Sequence, residues 1–240
     1  MALTTASALG GDVNPGVIFG SGNANGSFTV GTGGGVEIGL RAKTRYNSGG
    51  APENTFNWDG GNTYTFNPSN GNPPADRAMW NFEWSINSDV SDSTGNDLND
   101  FIYEMALFKV GADGTDLADA LVFDPINTLY GDHSIGDNTT TSATDTIAGD
   151  PGAYAALIAS SNVAQNSWNY GFFNGSGAGV LEGIDPSAAG QYIIRLTALD
   201  GSSVVASSEI LVNVVPVPPA ALAGLGLLGG LIGVRAVRRR

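Results

Sequence analysis

No cysteine occurs in the 240 residues. Its absence excludes a disulfide framework, a cysteine nucleophile and thiolate metal sites. Export stays open, because a domain this long buries an adequate core without staples. Histidine occurs once, at His133, so a single chain cannot assemble a multi-histidine metal site. Charge is also scarce, at 14% of residues, about half the usual share. Cations are the scarcest group: up to Val215 six stand against 23 acids, a net charge of −17. Such a surface repels phosphate backbones, which argues against nucleic-acid partners, and it draws divalent cations. No Gly-x-Ser-x-Gly elbow is found, and no repeat of 20–50 residues.

Apolar residues make up 42% of the chain and glycine 35 positions, enough for a core joined by many turns. Val36, Ile38, Leu40 and Ala42 alternate with Glu37, Gly39, Arg41 and Lys43, the period of a half-buried strand. Trp80, Phe82, Trp84 and Ile86 alternate in the same way, and 101–110 reads as their antiparallel partner across a polar loop. Asp59–Asn62 and Asp200–Gly201 each lie between strand-like runs and predict hairpins. Asp150 followed by Pro151 and an alanine-rich run predicts one short helix near Pro151–Ser160. Short strands at turn-marked intervals predict an all-β body over 10–214, an antiparallel β-sandwich of jelly-roll-like construction. Gly31-Thr-Gly-Gly-Gly35 lacks the lysine of a phosphate loop and reads as a flexible turn.

The two ends differ from the body. Ala6-Ser7-Ala8 fits a small-x-small cleavage pattern, so residues 1–8 read as a signal-peptide remnant. At the other end, Val215, Pro216, Val217, Pro218, Pro219 and Ala220 precede a run without one polar side chain, ending at Val234. Arg235, Arg238, Arg239 and Arg240 close the chain. The 15 residues from Ala220 span roughly 22 Å as a helix, against a hydrocarbon core of ~30 Å. Snorkelling arginines and local thinning make up the difference, and the cations predict a cytoplasmic C-terminus.

A proline box, a short apolar span and a terminal arginine cluster, over Val215–Arg240, resemble the PEP-CTERM sorting signal in its VPLPA-type variant. This chain has no glutamate between the prolines, and it carries Val217-Pro218-Pro219-Ala220 where the variant has Leu-Pro-Ala. The resemblance implies a membrane exosortase-type protease as partner, transient insertion in the inner membrane and cleavage near the box. It further implies delivery to the surface of, or secretion from, a Gram-negative bacterium that makes extracellular polysaccharide, with glycosylation common among such proteins.

Candidate chemistry in the body is thin. Asp89, Ser91, Ser93 and Asp100 occupy the first, third, fifth and twelfth places of a calcium loop, though Thr94 stands where that loop needs glycine. Two readings stand, a non-standard calcium site and a solvated hairpin loop; no other cofactor is implied. If the 80–87 and 101–110 strands pair about that loop, Glu83 faces Glu104, a geometry a glycosidase would use. Trp58, Trp168 and Tyr170 would stack on sugar rings if exposed. Asn25, Asn138 and Asn174 head N-glycosylation sequons, and 139–146 is a Thr/Ser tract of O-glycan-accepting composition. The resulting expectation is a non-enzymatic surface or matrix protein with a structural or adhesive role, its rivals a carbohydrate-binding module and a secreted glycoside hydrolase.

Overall fold

The computed structural model describes residues 9–14, 24–110, 121–128, 130–173 and 189–215. Its strands follow chain order as β1 (Leu9–Gly11), β2 (Phe28–Gly33), β3 (Val36–Thr44), β4 (Thr63–Phe66), β5 (Trp80–Asn87) and β6 (Ile102–Val110). Next come β7 (Leu121–Phe123), β8 (Ser134–Gly136), helix α1 (Pro151–Ile158), β9 (Val163–Asn169), β10 (Gly190–Asp200) and β11 (Ser203–Val214). They form a six-stranded sheet, β1-β2-β3-β5-β9-β8, and a five-stranded sheet, β4-β11-β10-β6-β7. Every pairing is antiparallel except β4 with β11.

Alternation along the strands builds the core. Ile38, Leu40, Trp84, Phe82 and Trp80 from one sheet meet Tyr192, Ile194, Leu196, Ile210 and Val212 from the other in a single buried cluster. Trp80 stacks on Phe66 at 6.2 Å and packs against Tyr170 and Tyr192 at 5.1 and 5.6 Å, offset and tilted geometries that aromatic quadrupoles favour. At one side the sheets nearly touch. A Cβ on Gly31 would lie 1.8 Å from the Ser207 carbonyl oxygen, and one on Gly33 would lie 2.0 Å from that of Val205. Ser208 Oγ donates to Thr29 O at 2.6 Å across this seam. The glycine run is therefore half strand: only Gly34 and Gly35, with φ of 57° and 85°, form the turn.

The β10–β11 hairpin turns at Asp200 and Gly201 as expected, with Gly201 at φ 59°. Asp150 caps α1 by accepting from Ala153 N at 2.9 Å. Asp59–Asn62 also forms its turn, but the arm before it contributes only the Trp58–Tyr64 bridge, and β4 takes its ladder from β11.

The pairing expected between 80–87 and 101–110 is not made. β5 lies between β3 and β9, whereas β6 lies between β10 and β7 in the other sheet. The segment joining them is a crossover fastened on the way: Ser88 N donates to Asn162 O, Leu98 N donates to Ser161 O, and the Leu98 side chain is buried in the core. No helix among the described residues is long and apolar enough to cross a membrane. The expected span, 220–234, and the leader remnant, 1–8, lie outside the described residues.

Candidate functional site

The 89–100 loop is organised around Asp89, which sits beneath it. Its Oδ1 accepts from Ser93 N at 3.1 Å, and its Oδ2 accepts from Thr94 N and Gly95 N at 3.0 and 2.8 Å. Burial works against its ionisation, but these donors outweigh that and hold the carboxyl below its usual range. Ser91 Oγ lies 2.5 Å from Ser93 Oγ and 3.5 Å from Asp89 Oδ1. Asp100 turns elsewhere: its Oδ2 accepts from Asp97 N at 2.7 Å, closing the short helical turn Leu98–Asp100. Three of the four candidate calcium ligands are thus neighbours, and the fourth is committed to a cap. Among the described residues no three His, Asp or Glu side chains converge on one point.

Glu83 and Glu104 do not face each other. Glu83 pairs across the ladder with Arg41 and Ser167, and Glu104 pairs with Thr197 in the other sheet. Each points away from the core on its own sheet, so a two-sheet layer about 10 Å thick separates them. That geometry removes the two-carboxylate arrangement considered for a glycosidase.

What replaces it is a buried ionic cluster on the outer face of the six-stranded sheet. Arg41 and Glu83 are buried completely, and Lys43 almost so. Arg41 Nε donates to Glu83 Oε2 at 2.5 Å, while Lys43 Nζ lies 2.7 Å from Oε1, in ion-pair range but off the hydrogen-bond direction. Arg41 Nη1 donates to the carbonyls of Ala24 and Gly26 at 2.8 and 2.7 Å, and Nη2 has no hydrogen-bond partner among the described residues. The Phe28 and Phe56 rings stand 4.2 and 4.6 Å from the guanidinium carbon. Burial lowers the Arg41 pKa, and the Glu83 charge opposes that shift. Nearby, Glu37 is raised by burial, partly offset because its Oε1 accepts from Asn14 N at 2.7 Å.

This cluster was hidden in the sequence. Glu37, Arg41 and Lys43 alternate with apolar residues, the usual mark of a wet face. Here all nine residues of β3 are buried, because 12–14 and 24–27 fold back over that face.

The aromatic candidates are mostly structural. Trp168 is 8% exposed and Tyr170 fully buried, so neither presents a ring face to solvent. Trp58 is half-buried, stacked on Tyr64, with its Nε1 donating to Gly61 O at 2.9 Å. His133 is buried against Trp84, Tyr154 and Trp168. Its Nε2 is 3.0 Å from Pro125 O and its Nδ1 is 2.9 Å from Asn166 Nδ2, partners that require the Nε2–H tautomer.

Two sequon asparagines have their amides engaged. Asn25 Nδ2 donates to Val13 O, and Asn138 Nδ2 donates to Asp89 O and to Asp92 Oδ1, each at 2.8 Å. Asn174 lies outside the described residues. The 139–146 tract is exposed apart from half-buried Thr140 and Asp145, and it is folded into hydroxyl-braced turns about Asp137, Thr141 and Thr144. Of the sorting residues only Val215 is described, half-exposed; Pro216–Ala220 and Arg235–Arg240 are not. Comparison with family models, with curated proteins and with solved structures finds no match.

Proposed function

We propose that the chain is an exported bacterial envelope or matrix protein. Its body, a jelly-roll-like β-sandwich, has a structural or adhesive, non-enzymatic role, and 215–240 is a sorting tail cut near Pro216–Ala220 by an exosortase-type membrane protease. The observation that carries this reading is the junction. β11 ends at Val214, Val215 N still donates to Phe66 O at 2.9 Å, and the next residue is proline. Proline has no N–H to extend the ladder, so the box begins where strand pairing must stop. An extended, unpaired, proline-rich segment suits a protease groove, and the glycines of 220–234 suit close packing against another membrane helix.

The inner membrane would be a transient partner and extracellular polysaccharide the surface the body meets. Calcium at the 89–100 loop remains part of the proposal only as a stabilising ion. Arginine costs ~2.5–3.5 kcal/mol at a bilayer centre, so four of them resist being drawn through.

The test is mass spectrometry of the mature protein from its native host, combined with two variants. The mature chain should lack Arg240, deletion of 216–240 should release a soluble folded body, and Arg238, Arg239 and Arg240 changed to Ser should weaken membrane retention. A mature chain that keeps Arg240, or a truncated body that fails to fold, refutes the reading.

A further inference from the structure

Lys43 faces two groups that together make an amine reactive. Glu83 Oε1 lies 2.7 Å from its Nζ, and the Asn54 side-chain oxygen lies 3.4 Å away. We propose that Lys43 and Asn54 become joined by an intramolecular amide, formed by the folded protein itself with Glu83 as proton carrier. This modification is independent of how the tail is used.

The geometry is close to that of attack. The Asn54 carbonyl carbon is one C=O bond, about 1.2 Å, beyond the oxygen that Lys43 already touches. Rotation of the Asn54 side chain about Cα–Cβ, or a small shift of the lysine stem, moves that carbon toward Nζ and the ~3–3.5 Å where attack begins. The two segments are already in register, since Thr44 N donates to Thr55 O at 2.9 Å and Glu53 N donates to Thr44 O at 3.4 Å. Arg41 acts as a positioning residue: by holding Oε2 of Glu83 at 2.5 Å it leaves Oε1 for Lys43. Lys43 and Glu83 are buried, which limits competing water, while Asn54 is exposed, which gives the leaving group a way out.

The steps balance without an outside reagent. The Lys43 ammonium gives one proton to Glu83, and its freed lone pair forms the N–C bond to Asn54 Cγ as the carbonyl π pair moves to oxygen. Glu83 passes its proton to the carboxamide nitrogen and takes the second proton from the attacking nitrogen. The C–N bond to the former amide nitrogen then breaks with its electron pair, and the departing ammonia receives the last proton. An ammonium side chain and a primary amide become a secondary amide and ammonium ion. The exchange of one amide for another is drawn forward by escape of ammonia to bulk water. It also turns a buried group of two cations and one carboxylate into a balanced Arg41–Glu83 pair.

Trypsin digestion and mass spectrometry of the full chain, kept folded at neutral pH, decide the matter. Acylated Lys43 is not cut, so the bond predicts Ala42-Lys43-Thr44-Arg45 linked to the Tyr46–Arg77 peptide, lighter than their sum by one ammonia, about 17 Da. The linked peptide is the readout, because succinimide formation at an asparagine also sheds ammonia. Lys43→Arg, Asn54→Ala and Glu83→Gln should each lack it. Lys43→Arg keeps the cation and Asn54 is exposed, so both should fold even where Glu83→Gln does not. Recovery of free Ala42-Lys43 and unlinked Tyr46–Arg77 from the unaltered protein overturns the proposal; a link that survives in folded Glu83→Gln overturns the role of Glu83.

Discussion

Replacing Gly31 by alanine adds one methyl group where β2 passes over β11. Its Cβ would meet the Ser207 carbonyl oxygen at 1.8 Å and the carbonyl carbon at 2.7 Å. Both obstacles are backbone, so no rotamer change relieves them, and the two sheets must part locally by more than 1 Å. A gap of 0.5–1 Å forfeits roughly a quarter to a half of the dispersion at that seam. The Ser208–Thr29 hydrogen bond crossing the seam at 2.6 Å is worth about 1 kcal/mol more. Against these losses, Gly→Ala restricts the unfolded chain and favours folding by ~0.4–1 kcal/mol. The expected net loss is about 2–3 kcal/mol, which for a body of this size lowers Tm by roughly 4–12 °C.

Urea unfolding followed by tryptophan fluorescence reads the change directly, because Trp80, Trp84 and Trp168 all lie in the core. Gly149→Ala is the internal control: nothing lies within 4 Å of its Cβ, and its effect should stay within ~0.5 kcal/mol of zero. Gly33→Ala should behave like Gly31→Ala. If Gly31→Ala proves as mild as Gly149→Ala, the close approach of the sheets is wrong.

Glu83→Leu leaves the Arg41 and Lys43 charges buried without their carboxylate and should cost about 3–5 kcal/mol by denaturant titration. Arg41→Met added to it should recover most of that loss; a single-variant cost below ~1 kcal/mol would mean that the charges reach water. Asp89, held below its unfolded value of about 3.9, contributes stability that is complete above that pH and is lost as pH falls through its lower folded pKa. Asp89→Asn should therefore lower the denaturation midpoint at pH 7 and flatten its fall as the pH drops below about 4. An Asp89→Asn protein with the parent's acid profile would remove this loop from the account.

The parts legible in the sequence are those where one local rule acts alone. Asp150 and Pro151 mark α1 because capping and a fixed φ are local chemistry. The β10–β11 hairpin is legible because Asp200-Gly201 turns between two apolar alternations. Strand β9 is not, because Gln165 and Asn169 are buried on the outer face while Asn166 faces inward to His133. With polar residues on both faces, no period survives to be read. The β5–β6 error has a different origin: both strands were real, but symmetry about a loop cannot reveal that the loop crosses between sheets. The ionic cluster fails for the same reason, since the segments covering β3 are remote in sequence from the residues they bury.

The position of β11 has a consequence in time. It is the last of the described strands to be made, yet it lies inside its sheet, between β10 and β4. β4, synthesised some 140 residues earlier, has among the described residues no other sheet neighbour to wait with than the short bridge at Trp58. The seam that Gly31 and Gly33 make with β11 is likewise empty until Ser207 arrives. A chain that stops short of Ser203 therefore lacks the strand that joins β4 to β10 and one wall of the core. Such non-local closure belongs to the slow end of folding, milliseconds to seconds after the chain is finished.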